Sequence, residues 1–113
     1  MLHHPATDDI DLATVMGVLG DQTRLAILGD LERRGNMPMK CSHFINLASK
    51  SNLTYHLGKM REAGIIRVEP NGTAKMITIR RADLDRRFPG FLDAVLSAAV
   101  TMAPPFDEFA EAE

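Results

Sequence analysis

Residues 49–66, SKSNLTYHLGKMREAGII, carry the pattern that most constrains how this 113-residue chain can fold. One stripe at helical spacing is apolar, and it consists of Leu53, His56, Leu57 and Met60. The opposite stripe is short, polar or aromatic, and it consists of Ser51, Thr54, Tyr55 and Gly58. A helix face that meets only water is usually rich in Glu and Lys. The pattern therefore predicts a helix whose polar side approaches a partner closely.

Helical patterns recur on both sides of this segment. They are expected over residues 8–19, 21–35, 39–47 and 87–103. Asp8 or Asp9 can cap the first of these helices, and Asp21 can cap the second, because a carboxylate accepts hydrogen bonds from free amides of the first turn. Gly35 is suited to end the second helix. The chain is thus expected to be mainly α.

A hairpin is expected directly after the central helix. Residues 65–70 and 73–81 are rich in β-branched side chains, and they flank Pro70-Asn71-Gly72, which contains the Asn-Gly turn signal. A short helix, a tight turn, a helix and then a hairpin form a winged helix-turn-helix. The prediction is one such domain with about five helices and a two-stranded wing. Its expected boundaries are a flexible N-terminus at 1–7, the domain itself at 8–103 and an acidic tail at 104–113.

The charges are unevenly distributed along the chain. The formal net charge is −2, yet all 13 Lys and Arg residues lie between Arg24 and Arg87. Six acidic residues share that window, which leaves it at +7, and nine acidic residues occupy the two ends. A basic centre of this kind is typical of a nucleic-acid-binding surface, although a merely solvated basic surface would give the same count.

Composition also limits the compartment and the class of protein. No run of 18 apolar residues is present, and residues 1–12 lack the pattern of a signal peptide. Cys41 is the single cysteine, so no disulfide forms within the chain and a reducing cytoplasm is expected. No Ser/His/Asp or Cys/His constellation, phosphate-binding Gly loop or acid pair shares a face, and an enzyme is not expected.

The polar stripe of residues 49–66 has the side chains that a DNA major groove requires. Hydroxyls and amides of short residues reach base edges, and Gly58 removes a side chain that would hold the helix away. Lys50, Lys59 and Arg61 can reach phosphates. Close packing of the same stripe against another helix is the alternative, because small residues favour that contact as well.

Two segments resemble one family. LGDQTRLAIL, residues 19–28, is similar to the signature of ArsR-type winged-helix regulators, and residues 49–66 resemble the recognition helix of that family. The resemblance extends over about residues 10–100. It implies a homodimeric transcriptional repressor that binds double-stranded DNA at an inverted-repeat operator, with the first and last helices forming the dimer interface.

The resemblance also implies roles for individual residues. The DNA contacts fall on the recognition helix and the wing, at Lys50, Ser51, Asn52, Thr54, Tyr55, Lys59, Asn71 and Lys75. The dimer contacts fall on apolar positions that one small domain is not expected to cover, at Val15, Leu19, Phe91, Leu92, Val95, Leu96 and Ala99. Asp21 and Arg24 are expected to be structural.

The chain has few of the residues that form sensor sites in ArsR-type regulators. A thiolate metal site needs two or three sulfur ligands, and this chain offers only Cys41, so no metal and no cofactor are expected. Cys41 remains a candidate redox sensor, and the sequence does not identify a small-molecule or redox inducer or establish that one exists. The alternative function is a winged-helix module that binds another protein and no DNA, which the acidic ends favour.

Overall fold

The computed structural model describes residues 2–47 and 49–102. Its regular elements, in chain order, are α1 (Leu12–Leu19), α2 (Gln22–Arg33), β1 (Met39–Lys40), α3 (Lys50–Glu62), β2 (Ile66–Asn71), β3 (Ala74–Ile79), α4 (Arg81–Arg87) and α5 (Phe91–Ala99). Short 3-10 helices occupy Thr7–Asp9, Cys41–Leu47 and Val100–Met102. The Cys41–Leu47 helix and α3 form a helix-turn-helix, and β2 and β3 form its wing.

Three helices begin at a side-chain cap. Asp11 accepts a hydrogen bond from the Thr14 amide at 2.9 Å, Asp21 accepts one from the Arg24 amide at 3.0 Å, and Ser49 accepts one from Asn52. Each cap satisfies an amide that has no partner inside its helix. The cap predicted at Asp21 is confirmed. The first α-helix begins after Asp11, so the predicted start at Asp8 or Asp9 is wrong.

The loop after α2 is fixed to the sheet by one side chain. Asn36 has a φ of 58°, in the left-handed region that Asn tolerates better than most residues. Its side-chain oxygen accepts a hydrogen bond from the Ile79 amide at 2.7 Å, and its amide nitrogen donates one to the Ile79 carbonyl at 3.1 Å. The loop is therefore tied to the end of β3.

The sheet has three antiparallel strands in the order β1-β3-β2, one more than predicted. Residues 39–47 begin with the short strand β1, which pairs Met39 with Ile77. The predicted short helix therefore begins two residues later, at Cys41, and it is a 3-10 helix. In the wing, Asn71 pairs with Ala74. The turn therefore consists of Gly72 and Thr73, and Gly72 takes a φ of 65° that few other residues adopt.

The predicted last helix is two elements and part of a third. Residues 81–87 form α4. Arg81 was expected to end a strand and Arg87 to begin the last helix, and no element was predicted between them. Arg80 is buried and donates to the Asp83 carboxylate at 2.9 Å, and the Arg87 guanidinium donates twice to the Ile10 carbonyl. Gly90, with a φ of 84°, separates α4 from α5.

Residues 2–7, predicted to be flexible, are bound to the domain. His4 Nε2 accepts a hydrogen bond from the Val68 amide, on the open edge of β2, at 3.0 Å. The Pro5 carbonyl accepts one from Arg80 at 2.8 Å, and the Thr7 hydroxyl donates one to Asp83 at 2.8 Å. The predicted boundary at residue 8 therefore marks no change in packing, and the predicted acidic tail lies outside the described residues.

The core of the chain includes most of the residues predicted to form the dimer interface. Five of the seven are buried inside the single chain, namely Val15, Leu19, Leu92, Leu96 and Ala99, while Phe91 and Val95 are partly buried. For these five residues the expectation that one domain leaves them uncovered is wrong, because α1 and α5 both pack against α2 of the same chain, α5 very closely. At Gly29 an added Cβ would lie 2.4 Å from the Ala99 carbonyl oxygen. The winged helix-turn-helix fold itself is confirmed.

Candidate nucleic-acid interface

Helix α3 has the two faces that the sequence predicts. Leu53, Leu57 and Met60 are buried against the core. The opposite residues Ser51, Asn52, Thr54, Tyr55 and Lys59 are all exposed. The side chain of Lys50, the remaining predicted contact on this helix, lies outside the part of the chain that the structure describes.

Arg24 of α2 fixes the position of α3. Its Nε donates to Nδ1 of His56 at 3.0 Å, and its Nη1 donates to the Val18 carbonyl at 3.0 Å. One guanidinium thereby joins α1, α2 and α3. His56 accepts at Nδ1, so its neutral ring carries the proton on Nε2. These contacts confirm the structural role predicted for Arg24, and His56 of the apolar stripe bonds to a side chain of the neighbouring helix.

An exposed aromatic ring lies close to two cations on the outer side of α3. The Tyr55 side chain is 56% exposed. The Lys59 ammonium lies 5.6 Å from its ring centroid, and the Arg24 guanidinium carbon lies 5.7 Å away. Cations in this position are attracted by the ring face. The contact keeps two positive charges beside the hydroxyl and amide groups of the helix. Arg24 was not predicted to contribute to this surface.

The wing adds a second set of polar and basic groups. Asn71, Thr73 and Lys75 are exposed at its turn. The neighbouring strand β1 brings Lys40 to the same sheet, paired with Met76, the residue after Lys75. Lys40 was not among the predicted contacts, because its place depends on a strand of two residues that no periodicity reveals. The wing side of the interface is therefore more basic than its own turn residues suggest.

A cleft of about 640 Å³ separates the Cys41–Leu47 helix and α3 from the wing. Thr54 of α3 and Lys75 of β3 both line it, so the two predicted contact regions border one concave surface. Every one of the predicted DNA contacts whose side chain is described is exposed on α3 or the wing.

Cys41, the candidate sensor, also lines this cleft. Burial raises the pKa of its thiol, and the nearby positive charge of Lys75 offsets the rise only in part. The thiol is therefore mainly protonated at neutral pH, and the thiolate is the reactive form. This environment does not activate Cys41, and its sensor role stays a prediction.

His43 and Cys41 do not converge on a common ligand. His43 Nε2 instead lies 2.9 Å from the carboxylate of buried Asp30, which also accepts hydrogen bonds from Arg33 and Arg34. Within residues 2–47 and 49–102, no group of three or more His, Cys, Asp or Glu side chains is arranged to hold a metal ion. None of the helices in this part of the chain is both long enough and apolar enough to span a membrane.

Comparison with known proteins supports the helix-turn-helix. The sequence model of a family described as a helix-turn-helix domain matches residues 19–69, which run from the end of α1 into β2. The uncharacterized HTH-type transcriptional regulator YceK of Bacillus subtilis (strain 168) is 28% identical over 91 residues. That alignment covers 79% of this chain and 90% of the relative. Residues 19–69 are thus similar to that family, within a chain that has the winged helix-turn-helix fold. The narrower resemblance to ArsR-type regulators remains a prediction.

Proposed function

We propose that this protein is a sequence-specific DNA-binding transcriptional regulator. In the proposal it is a homodimer that represses transcription from an inverted-repeat operator and is released by a signal. The match to a helix-turn-helix domain and the similarity to an HTH-type transcriptional regulator support the general class. ArsR-type membership, repression and the operator are the finer parts of the proposal.

The observation that carries the proposal is the exposed face of α3. Ser51, Asn52 and Thr54 form a short polar surface on a helix whose opposite side is buried. Such side chains approach base edges in the major groove, where Asn pairs well with adenine and hydroxyls donate or accept. Gly58 also allows a close approach. Its Cβ position has no protein atom within 4 Å, so this part of the helix surface is open to a partner.

The charges around this face support binding to a polyanion. Lys59 and Arg24 lie at the Tyr55 ring, and Lys40 and Lys75 lie across the cleft on the sheet. In the proposal these cations contact phosphates on either side of the groove that α3 enters. Phosphate contacts fix the position of the helix, and base contacts supply the sequence preference.

The proposed dimer requires a surface that the single chain leaves exposed. Leu12 is 40% exposed and Met16 is 57% exposed, and at i, i+4 they share one side of α1. A two-fold axis near this side would use the first helix, as the resemblance implies. It would also place two copies of α3 about 34 Å apart, one turn of DNA.

A selection experiment tests DNA recognition. Purified protein selects its preferred site from a random duplex pool, and affinity for that site and for random DNA is then measured at two salt concentrations. Asn52→Ala and Thr54→Ala each lower the preference for the selected site, by about 1–3 kcal/mol for a good base contact. Ser97→Ala, an exposed hydroxyl deletion on α5, is the matched control and keeps full affinity.

The salt dependence separates this function from a protein-binding module. Binding through phosphates weakens steeply as salt rises, because counterions are released from the DNA. No selected sequence and no steep salt dependence would contradict the proposal and favour the module. If both α3 variants keep the wild-type preference for the selected site, the protein binds DNA but α3 does not make the base contacts.

Sedimentation tests the dimer. Met16→Glu places a charge on the exposed side of α1 without entering the core, so the folded protein is expected to become monomeric and to lose the operator. Gln22→Glu adds the same charge at an exposed position of α2 and remains dimeric. A monomeric wild-type protein at micromolar concentration would refute the dimer.

A further inference from the structure

The cleft between α3 and the wing has the dimensions of a ligand site. Its volume of about 640 Å³ lies within the range of roughly 300–1,000 Å³ that small-molecule sites occupy. Four segments form its walls: the N-terminal segment, the Cys41–Leu47 helix with β1, α3, and the β2–β3 wing. A pocket shared by this many elements exists only in the assembled fold.

The inner wall of the cleft is apolar. Leu53 and Leu57 of α3 and Val68 of β2 line it, and all three are buried. Leu2 closes one side, and its position is secured by hydrogen bonds to the next two residues, from Arg61 to the His3 carbonyl and from Val68 to His4. An aliphatic or aromatic group placed here would lose its contact with water, and burial of its apolar surface would favour binding.

The polar part of the lining is cationic. Lys40 and Lys75 are exposed at the cleft, and Arg61 is partly buried there. The lining contains no Asp or Glu among the described residues, and within that part of the chain neither lysine forms an ion pair. Lys75 shares the face of the sheet that carries Val68, whereas Lys40 pairs with Met76 and belongs to the opposite face. The Lys75 ammonium beside an apolar wall matches a ligand that is apolar at one end and negatively charged at the other.

We propose that this cleft binds a small amphipathic carboxylate, with its apolar body against Leu53, Leu57 and Val68 and its carboxylate at Lys75. Thr54 and Lys75 belong both to the cleft lining and to the proposed DNA contacts. The bound carboxylate neutralises Lys75, which would contact phosphate, and fills the space between α3 and the wing. It therefore releases DNA, a regulatory step that rests on the proposed function.

Cys41 provides a direct readout of the cleft, because it is the only cysteine and it lines the pocket. The rate at which a maleimide labels Cys41 is measured at pH 8 with increasing decanoate, below its micelle concentration. We expect decanoate to slow labelling at least tenfold at saturation. Decanol and decylammonium, which share the chain but lack the negative charge, do not protect at equal concentration.

Two pairs of variants test the geometry. Gly58→Leu fills the cleft, because the Gly58 position opens onto it with no protein atom within 4 Å of an added Cβ, and protection by decanoate is lost. Gly17→Leu is the matched control, since Gly17 of α1 is equally open but lies outside the lining, and it keeps protection. Lys75→Met weakens decanoate binding about tenfold or more, and Lys40→Met, on the opposite face of the sheet, is its control and leaves decanoate binding nearly unchanged.

The outcomes separate this inference from the proposed function. Failure of decanoate to protect Cys41 in the folded protein, or equal protection by decylammonium, overturns the carboxylate site even where the protein binds a selected duplex. If decanoate protects Cys41 but the protein binds no duplex, the carboxylate site is supported and the proposed DNA-binding function is refuted. Protection together with decanoate-dependent release of the selected duplex supports both. If decanoate protects Cys41 but the protein stays bound to the selected duplex, the proposed release of DNA by the carboxylate is refuted.

Discussion

Gly29 allows α2 and α5 to pack more closely than any other residue would permit, which makes Gly29→Ala a sensitive test of the fold. A Cβ at this position would lie 2.4 Å from the Ala99 carbonyl oxygen and 2.8 Å from the Ala99 carbonyl carbon. Both atoms are backbone, so no side chain can rotate away. Ordinary contact begins near 3.4 Å, and the end of α5 would have to retreat by about 1 Å.

Two effects of the added methyl oppose one another. Alanine favours an α-helix over glycine by about 1 kcal/mol. Overpacking in a core costs typically about 1–3 kcal/mol, and a rigid backbone neighbour places this site at the upper end of that range. The overlap should prevail, so we expect Gly29→Ala to lower the free energy of unfolding by about 1–2 kcal/mol, the difference between these two effects.

Urea unfolding at several protein concentrations measures this change, because a dimer would make stability depend on concentration. Gly17→Ala is the control: Gly17 is also inside a helix, but a Cβ there meets nothing within 4 Å. It should raise the free energy of unfolding by about 0.5–1 kcal/mol. The reasoning fails if both variants gain stability equally, since that would mean α5 is not held at the described distance.

Two other contacts yield predictions. Arg24→Ala leaves the Val18 carbonyl and His56 Nδ1 without their shared donor, and we expect a loss of about 1–3 kcal/mol in urea unfolding together with weakened duplex binding; unaltered stability would contradict the tether. For His4, burial and then the charges of nearby arginines lower the pKa, so the neutral ring that accepts from Val68 is favoured in the folded protein. The contact is therefore complete above the ordinary histidine pKa of about 6.5 and is lost as pH falls through the lowered value. The NMR resonance of the Val68 amide should follow this transition in wild type and show none in His4→Gln.

The sequence predicted the elements that local rules determine. The two faces of α3 follow from helical spacing, and the buried Leu53, Leu57 and Met60 confirm it. The cap at Asp21 follows from the preference of carboxylates for free amides. The wing follows from β-branched runs around an Asn-Gly signal, although its turn lies one residue later, at Gly72 and Thr73.

Helix α4 could not be predicted in the same way, because distant partners hold it. Only Leu84 of its seven residues is buried, so no apolar stripe reveals it. Arg81 instead pairs with Glu32 of α2 and with Asp93 of α5, and Arg87 donates to the Ile10 carbonyl. Contacts across 49 and 77 positions of sequence have no local signature.

The predicted dimer surface shows the limit of periodicity most clearly. Spacing identifies which side of a helix is apolar, but it does not say whether the same chain or a second copy covers that side. Leu96 is 2% exposed inside the single chain, so Leu96→Asp would bury a charge in the core and unfold the monomer, whether or not a dimer exists. A probe of assembly must begin exposed in the monomer. Met16 meets that condition, and a charge there can disrupt only a contact made with another molecule.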